Sequence, residues 1–142
     1  MNRTTDELMK QLLSKEELPQ YIRENSSEFL QASLAEYLNR LLEEHGLKKS
    51  SAIADAQIER SYGYQLFSGR REMPSRDVLI SLALAMKLSL DETQSLLRIA
   101  HMAMLYPRVK RDSIIIHAVI KQESVVKCNE MLESLDEAAL GE

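Results

Sequence analysis

Cations and amide side chains able to recognise a nucleic acid crowd between positions 48 and 76. Lys48, Lys49, Arg60, Arg70, Arg71 and Arg76 stand there against three acids, Asp55, Glu59 and Glu72, for a local excess of +3. Arginine can pair bidentately with the major-groove edge of guanine, and glutamine with that of adenine. Lysine and arginine also hold phosphates without reading sequence. The flanks have the opposite sign: residues 1–45 carry −4 and residues 77–142 carry −3, which brings the chain to −4 overall. Charges more than about 8–10 Å apart are screened at physiological salt, so local sign governs phosphate contact.

Other chemistries find little support. His45, His101 and His117 are scattered, without an i, i+4 pair or a cysteine partner, so no metal site is expected. Cys128 is the single cysteine and cannot form an intrachain disulfide, which fits a reducing compartment. An isolated thiol on an apolar helix is more often packing than a nucleophile. No glycine-rich phosphate loop, paired-carboxylate cleft or Ser-His-Asp order occurs, and neither a cofactor nor an enzymatic activity is expected. No basic-then-apolar segment opens the chain and no apolar run is long enough for a bilayer, so a cytoplasmic protein without membrane contact is expected.

The elements that must position these residues read as helices throughout. Thr4…Glu7, Ser14…Glu17, Ser33…Glu36 and Ser89…Glu92 each match the capping box, in which the first and fourth side chains satisfy each other's free amides. Helices are expected near 5–13, 16–31, 34–45, 49–56, 59–67, 75–87, 91–102, 109–121 and 123–135. Leu34, Tyr37, Leu38, Leu41 and Leu42 line one face of the third. Gly46 and Gly69 mark helix ends, and Pro74-Ser75 marks a start. Strict alternation and hairpin signals are absent, so no strand is expected. Ile58, Leu66, Leu79, Leu82 and Ala83 are expected in one core, and the tail from Ala138 is expected to fray.

From Ser33 to Leu90 this order of parts resembles the Xre or Cro/repressor family of helix-turn-helix proteins. The resemblance is carried by Gly46-Leu47, Ala56, Ile58, Arg60-Ser61-Tyr62, Leu66, Gly69-Arg70-Arg71, Pro74-Ser75 and the apolar series Leu79, Leu82, Ala83, Leu88 and Leu90. The whole chain is similar to a subgroup of small proteins, called regulators by resemblance, with extra helices on both sides. That likeness runs through Glu28-Phe29-Leu30, Leu34-Ala35-Glu36-Tyr37-Leu38, Tyr64-Gln65, Arg76-Asp77, Glu92-Thr93-Gln94, Leu105-Tyr106-Pro107-Arg108 and Lys110-Arg111-Asp112. It implies an all-α, lambda-repressor-like five-helix DNA-binding domain at 33–104. A helical extension would precede it at 1–32, and another would pack on it at 105–142.

The same resemblance implies a sequence-specific, DNA-binding transcriptional regulator acting on double-stranded DNA. Arg60, Ser61, Tyr64 and Gln65 become the base-contact candidates. Lys48, Lys49, Arg70, Arg71 and Arg76 become the phosphate-contact candidates. Three positions depart from the family pattern. Gly63 replaces a usual Leu or Ile anchor, either because Tyr62 and Tyr64 supply the packing or because another helix approaches closely. Glu59 stands where Ser, Asp or Asn would cap better. Lys49 stands where a Gln is common.

With the overall acidity, Gly63 and Glu59 support an alternative, a helix-turn-helix fold kept as a protein-interaction module. Arg108, Lys110 and Arg111 read as a solvated loop or as a contact for phosphate or an acidic partner. Beyond Pro107 the apolar surface exceeds what two short helices bury on each other. A homodimer interface through Ile115, Ile116, Val119 and Val126 is therefore expected.

Overall fold

The computed structural model describes residues 4–14, 18–19, 33–71 and 73–141. They are helical or irregular, with no strand among the described residues. The chain divides into two compact units, residues 1–31 and 32–142. In the first, α1 (Thr5–Ser14) opens with a complete capping box: the Glu7 amide donates to Thr4 Oγ1 at 3.1 Å, and the Thr4 amide donates to Glu7 Oε2 at 3.4 Å. Of the expected helix near 16–31 only residues 18–19 are described, and they are helical; the rest of it, and Glu17 of the Ser14…Glu17 box, lie outside the described residues.

The second unit holds α2 (Leu34–Glu44), α3 (Lys49–Asp55), α4 (Arg60–Ser68), α5 (Arg76–Ala85), α6 (Leu90–Ile99), α7 (Lys110–Ile120) and α8 (Val125–Ser134). Serine starts four of them: Ser33, Ser75, Ser89 and Ser124 accept from the amides of Glu36, Val78, Glu92 and Lys127. At Ser89 the box is reciprocal, Glu92 Oε1 accepting the Ser89 amide at 2.9 Å. Each such cap is worth about 1 kcal/mol.

Every helix of this unit ends in a left-handed residue: Gly46, Gln57, Gly69, Lys87, His101, Gln122 and Asp136. The chain then turns back, and several of these turns close with the same long bond, as from the Leu88 amide to the Ala83 carbonyl at 3.0 Å and from Met102 to Leu97 at 2.8 Å. This is the hydrogen bond by which a terminating helix satisfies a free carbonyl.

Helix α5 is the hub. Every residue from Val78 to Leu84 is buried, and an apolar circumference of that kind suits a helix with neighbours on all sides. It packs against α3, α6, α7 and α8, while α2 and α3 both pack on α4. Ile58, Leu66, Leu79, Leu82 and Ala83 join one core as the sequence predicts. Helices α7 and α8 extend that same core with Ile115, Ala118, Val119, Val125, Cys128 and Leu132.

Ile115 and Val119 are 0% and 3% exposed within a single chain. The expected dimer interface is corrected at these two positions, because side chains spent on the internal core have no surface to offer. Ile116 is partly buried against the core, and Val126 is exposed. The tail is corrected as well. Leu140 packs on the core, its amide donates to Asn129 Oδ1 at 2.8 Å, and the Gly141 amide donates to Asp77 Oδ2 at 3.1 Å. No helix among the described residues is long and apolar enough to cross a membrane.

Candidate nucleic-acid interface

Helices α3 and α4 are joined by Ala56, Gln57, Ile58 and Glu59. Ala56 and Ile58 are buried, and Gln57 takes the left-handed backbone (φ 59°) that reverses the chain between them. Glu59 is the N-cap of α4, and its two carboxylate oxygens accept from the Ser61 amide at 3.0 Å and the Tyr62 amide at 2.8 Å. The Tyr62 and Ser61 amides hold its carboxyl below the ordinary carboxylate range. The longer side chain thus does the work of Asp or Asn, which corrects the expectation of a poor cap.

The inner side of α4 is Gly63, Leu66 and Phe67, all buried. A Cβ at Gly63 would stand 2.5, 2.8 and 3.0 Å from Cγ2, Cγ1 and Cδ1 of Ile53 on α3. The two helices therefore exchange sizes: α3 supplies the bulk and α4 the gap. Of the two explanations open for Gly63, close approach is the one observed. At the other end of α4, Asn39 Nδ2 donates to the Phe67 carbonyl at 2.7 Å and to the Ala35 carbonyl of its own helix at 2.8 Å. A polar side chain on the apolar-faced α2 is not singled out by periodicity, and sequence reasoning missed it.

With that side fixed, residues 60, 61, 64 and 65 fall together on the other side of α4, since i, i+1, i+4 and i+5 are neighbours on a helix surface. Arg60 and Ser61 are exposed, Tyr64 is 36% exposed and Gln65 is half-buried. The Arg60 guanidinium carbon lies 5.8 Å from the centre of the Tyr64 ring.

The phosphate candidates divide. Lys48 is exposed at the N-cap of α3, and Arg70 and Arg71 are exposed just past the end of α4. Lys49 is half-buried, with Nζ 5.7 Å from the Phe67 ring centre, and the Arg71 guanidinium lies 4.8 Å from that of Tyr62. Rings beneath these cations fix their position without neutralising them.

Arg76 is corrected. Its guanidinium donates to both Asp112 oxygens at 3.0 and 2.9 Å, and to the Ala103 and Met104 carbonyls at 2.8 and 3.1 Å. A side chain so engaged is not available to a phosphate.

Two of the three cations at Arg108, Lys110 and Arg111 are bonded within the chain. Arg111 donates to both Asp77 oxygens at 3.0 and 2.8 Å and to the Ala138 and Ala139 carbonyls. Lys110 Nζ donates to the Leu135 carbonyl and pairs with Glu137 at 3.7 Å. Arg108 stays exposed.

Other candidates for chemistry have structural partners. His45 Nε2 lies 2.9 and 3.1 Å from the Glu92 carboxylate oxygens. Cys128 is fully buried, and burial pushes its thiol up to about 11, far from the thiolate that a nucleophile needs. No group of three or more His, Cys, Asp or Glu placed to hold a metal occurs among the described residues. Comparison with family models, curated proteins and solved structures finds no match.

Proposed function

We propose that this chain is a sequence-specific DNA-binding transcriptional regulator of the helix-turn-helix type, with α4 as the helix that enters the major groove. The observation that carries this reading is the division of α4. Gly63, Leu66 and Phe67 anchor one side, while Arg60, Ser61, Tyr64 and Gln65 stand on the other. A fixed short helix with donors and an acceptor along its outer side suits base-edge readout. Arg70 and Arg71 lie just past its end and Lys48 at the start of α3, exposed positions suited to the backbone contacts that set register. The likeness to the Xre or Cro/repressor family points the same way. Double-stranded DNA is the partner and the cytoplasm the location in this reading, with a homodimer placing two reading helices about 34 Å apart.

Selection of bound duplexes from a random pool at low salt is the test. Enrichment of a short motif, in two copies about one helical turn apart for a dimer, supports the reading. Failure to retain any duplex rejects it.

A second reading is favoured by one observation: Arg76 and Arg111 are withdrawn into ion pairs, which thins the positive field of a chain whose net charge is −4. In that reading the same surface binds a protein.

A further inference from the structure

Between α3 and α4 lies a recess of about 360 Å³ lined by Ser50, Ile53, Ala54, Ile58, Arg60 and Tyr64. Its lining is mixed, with Ile53, Ala54 and Ile58 as the apolar part. Ile53 and Ile58 are buried, and because Gly63 lacks a side chain, Ile53 lies directly against the backbone of α4. Its rim carries two of the base-contact candidates, the Arg60 guanidinium being held 5.8 Å from the Tyr64 ring centre. A fork of donors thus borders a recess to whose lining Ile53, Ala54 and Ile58 contribute apolar surface.

The major-groove edges of DNA carry donors, acceptors and one apolar group, the C5 methyl of thymine. Two neighbouring bases match the two halves of the feature: a guanine for the fork and a C5-methylated pyrimidine for the recess. We propose that the recess reads the C5 methyl of a pyrimidine, normally thymine, adjacent to the guanine bound by Arg60. This inference rests on α4 reading DNA. It adds a specificity determinant made of α3 residues, which donor and acceptor counting along α4 does not reveal.

The test uses the full chain and the duplex enriched from the random pool. Each thymine in turn is replaced by deoxyuridine, which removes the methyl and leaves base pairing intact. One replacement, beside the guanine whose preference is lost in Arg60→Ala, should weaken binding about three- to fivefold, the effect of withdrawing one buried methyl. At that position a 5-methylcytosine–guanine pair should bind more tightly than the unmethylated pair. Ala54→Leu, at an exposed position on the recess wall, places added bulk in the recess and should reduce the thymine–uracil difference.

Equal binding of thymine and uracil at every position, with Arg60→Ala still relaxing one base pair, overturns the recess and leaves base reading intact. A thymine–uracil difference undiminished by Ala54→Leu also overturns it. Failure to bind any duplex removes the parent reading and this inference together.

Discussion

Arg76 at the start of α5 grips Asp112 at the start of α7 through two parallel hydrogen bonds of 3.0 and 2.9 Å. The next residue of α5 and the preceding one of α7 form the reverse pair, Arg111 gripping Asp77 at 3.0 and 2.8 Å. Two Arg-Asp dipeptides therefore cross-pair, and each pair recruits backbone. Tyr106 donates its amide to Asp112 and Gly141 donates to Asp77, while the arginines take carbonyls at 103, 104, 138 and 139. The clasp joins the hub helix, the segment before α7 and the tail. Side-chain exposure of the four groups is 7–24%, so solvent screens the pairs only partly.

Removing one member strands its partner. Arg111→Ala should cost about 1–3 kcal/mol, less than a fully buried pair, and should free residues 138–141. Chemical denaturation measures the first effect and amide exchange at Leu140 and Gly141 the second. Exchange at those two amides unchanged from the parent would show that the clasp does not hold the tail.

Acid should weaken this clasp and, separately, the His45–Glu92 contact. Burial opposes ionisation of Asp112, but the Arg76 guanidinium and the Tyr106 amide outweigh it and hold the carboxyl below the ordinary range. At Asp77 burial is likewise outweighed, by Arg111 and the Gly141 amide. At Glu92 it is outweighed by the Ser89 amide and His45. A carboxyl lowered on folding contributes stability that is complete above the unfolded value of about 4 and lost as pH falls through the folded value. Stability should therefore decline from about pH 5 downward, and Asp112→Asn should flatten part of that decline. Denaturation midpoints across this range are the measurement, and a slope unaltered by the substitution would contradict the assignment.

Helix order was legible in the sequence because capping serines, glycine ends and apolar periodicity are local signals. Ser33, Ser75 and Ser89 mark starts, and Gly46 and Gly69 mark ends. The other five helix ends were not legible as left-handed turns, since Gln57, Lys87 and Gln122 carry no signal for positive φ and His101 and Asp136 only a weak one. Two of these turns are tied to each other across 35 residues of chain. The Lys87 side chain donates to the Gln122 carbonyl at 2.7 Å, and Gln122 returns a bond to the Lys87 carbonyl at 3.2 Å. Arg76 shows why the site was only partly legible. A cation in a basic block suggests phosphate, but its partner Asp112 lies 36 residues away and is visible only once the helices pack.

The size exchange between Ile53 and Gly63 is testable as a pair. Gly63→Ile alone forces atoms against Ile53, as a Cβ there would already stand 2.5 Å from its Cγ2. Overpacking of this kind costs about 1–3 kcal/mol. Ile53→Ala alone leaves a cavity and costs about 2–5 kcal/mol. The double variant should be more stable than the sum of the two losses implies by at least about 1 kcal/mol, a coupling that a double-mutant cycle reads directly. Simple additivity would mean that the two residues do not share one space.

Three arginines of the basic block should separate on DNA. Arg60 is exposed on α4 among groups suited to base edges, so Arg60→Ala should cost about 1–3 kcal/mol and relax preference at one base pair. Arg71 is exposed in the loop after α4 and suits a phosphate. Its replacement by alanine should weaken all sequences alike and lower the salt slope by about one. Arg76 carries the same formal charge but is committed to Asp112 and two carbonyls. Arg76→Ala should lower stability yet leave the salt slope unchanged, because counterion release counts only cations that reach phosphate. Titrations of the enriched duplex at several salt concentrations distinguish the three. A slope lowered by Arg76→Ala in protein shown to be folded would mean that the clasp opens on DNA, and an Arg60→Ala loss shared equally by all sequences would move Arg60 to the phosphate set.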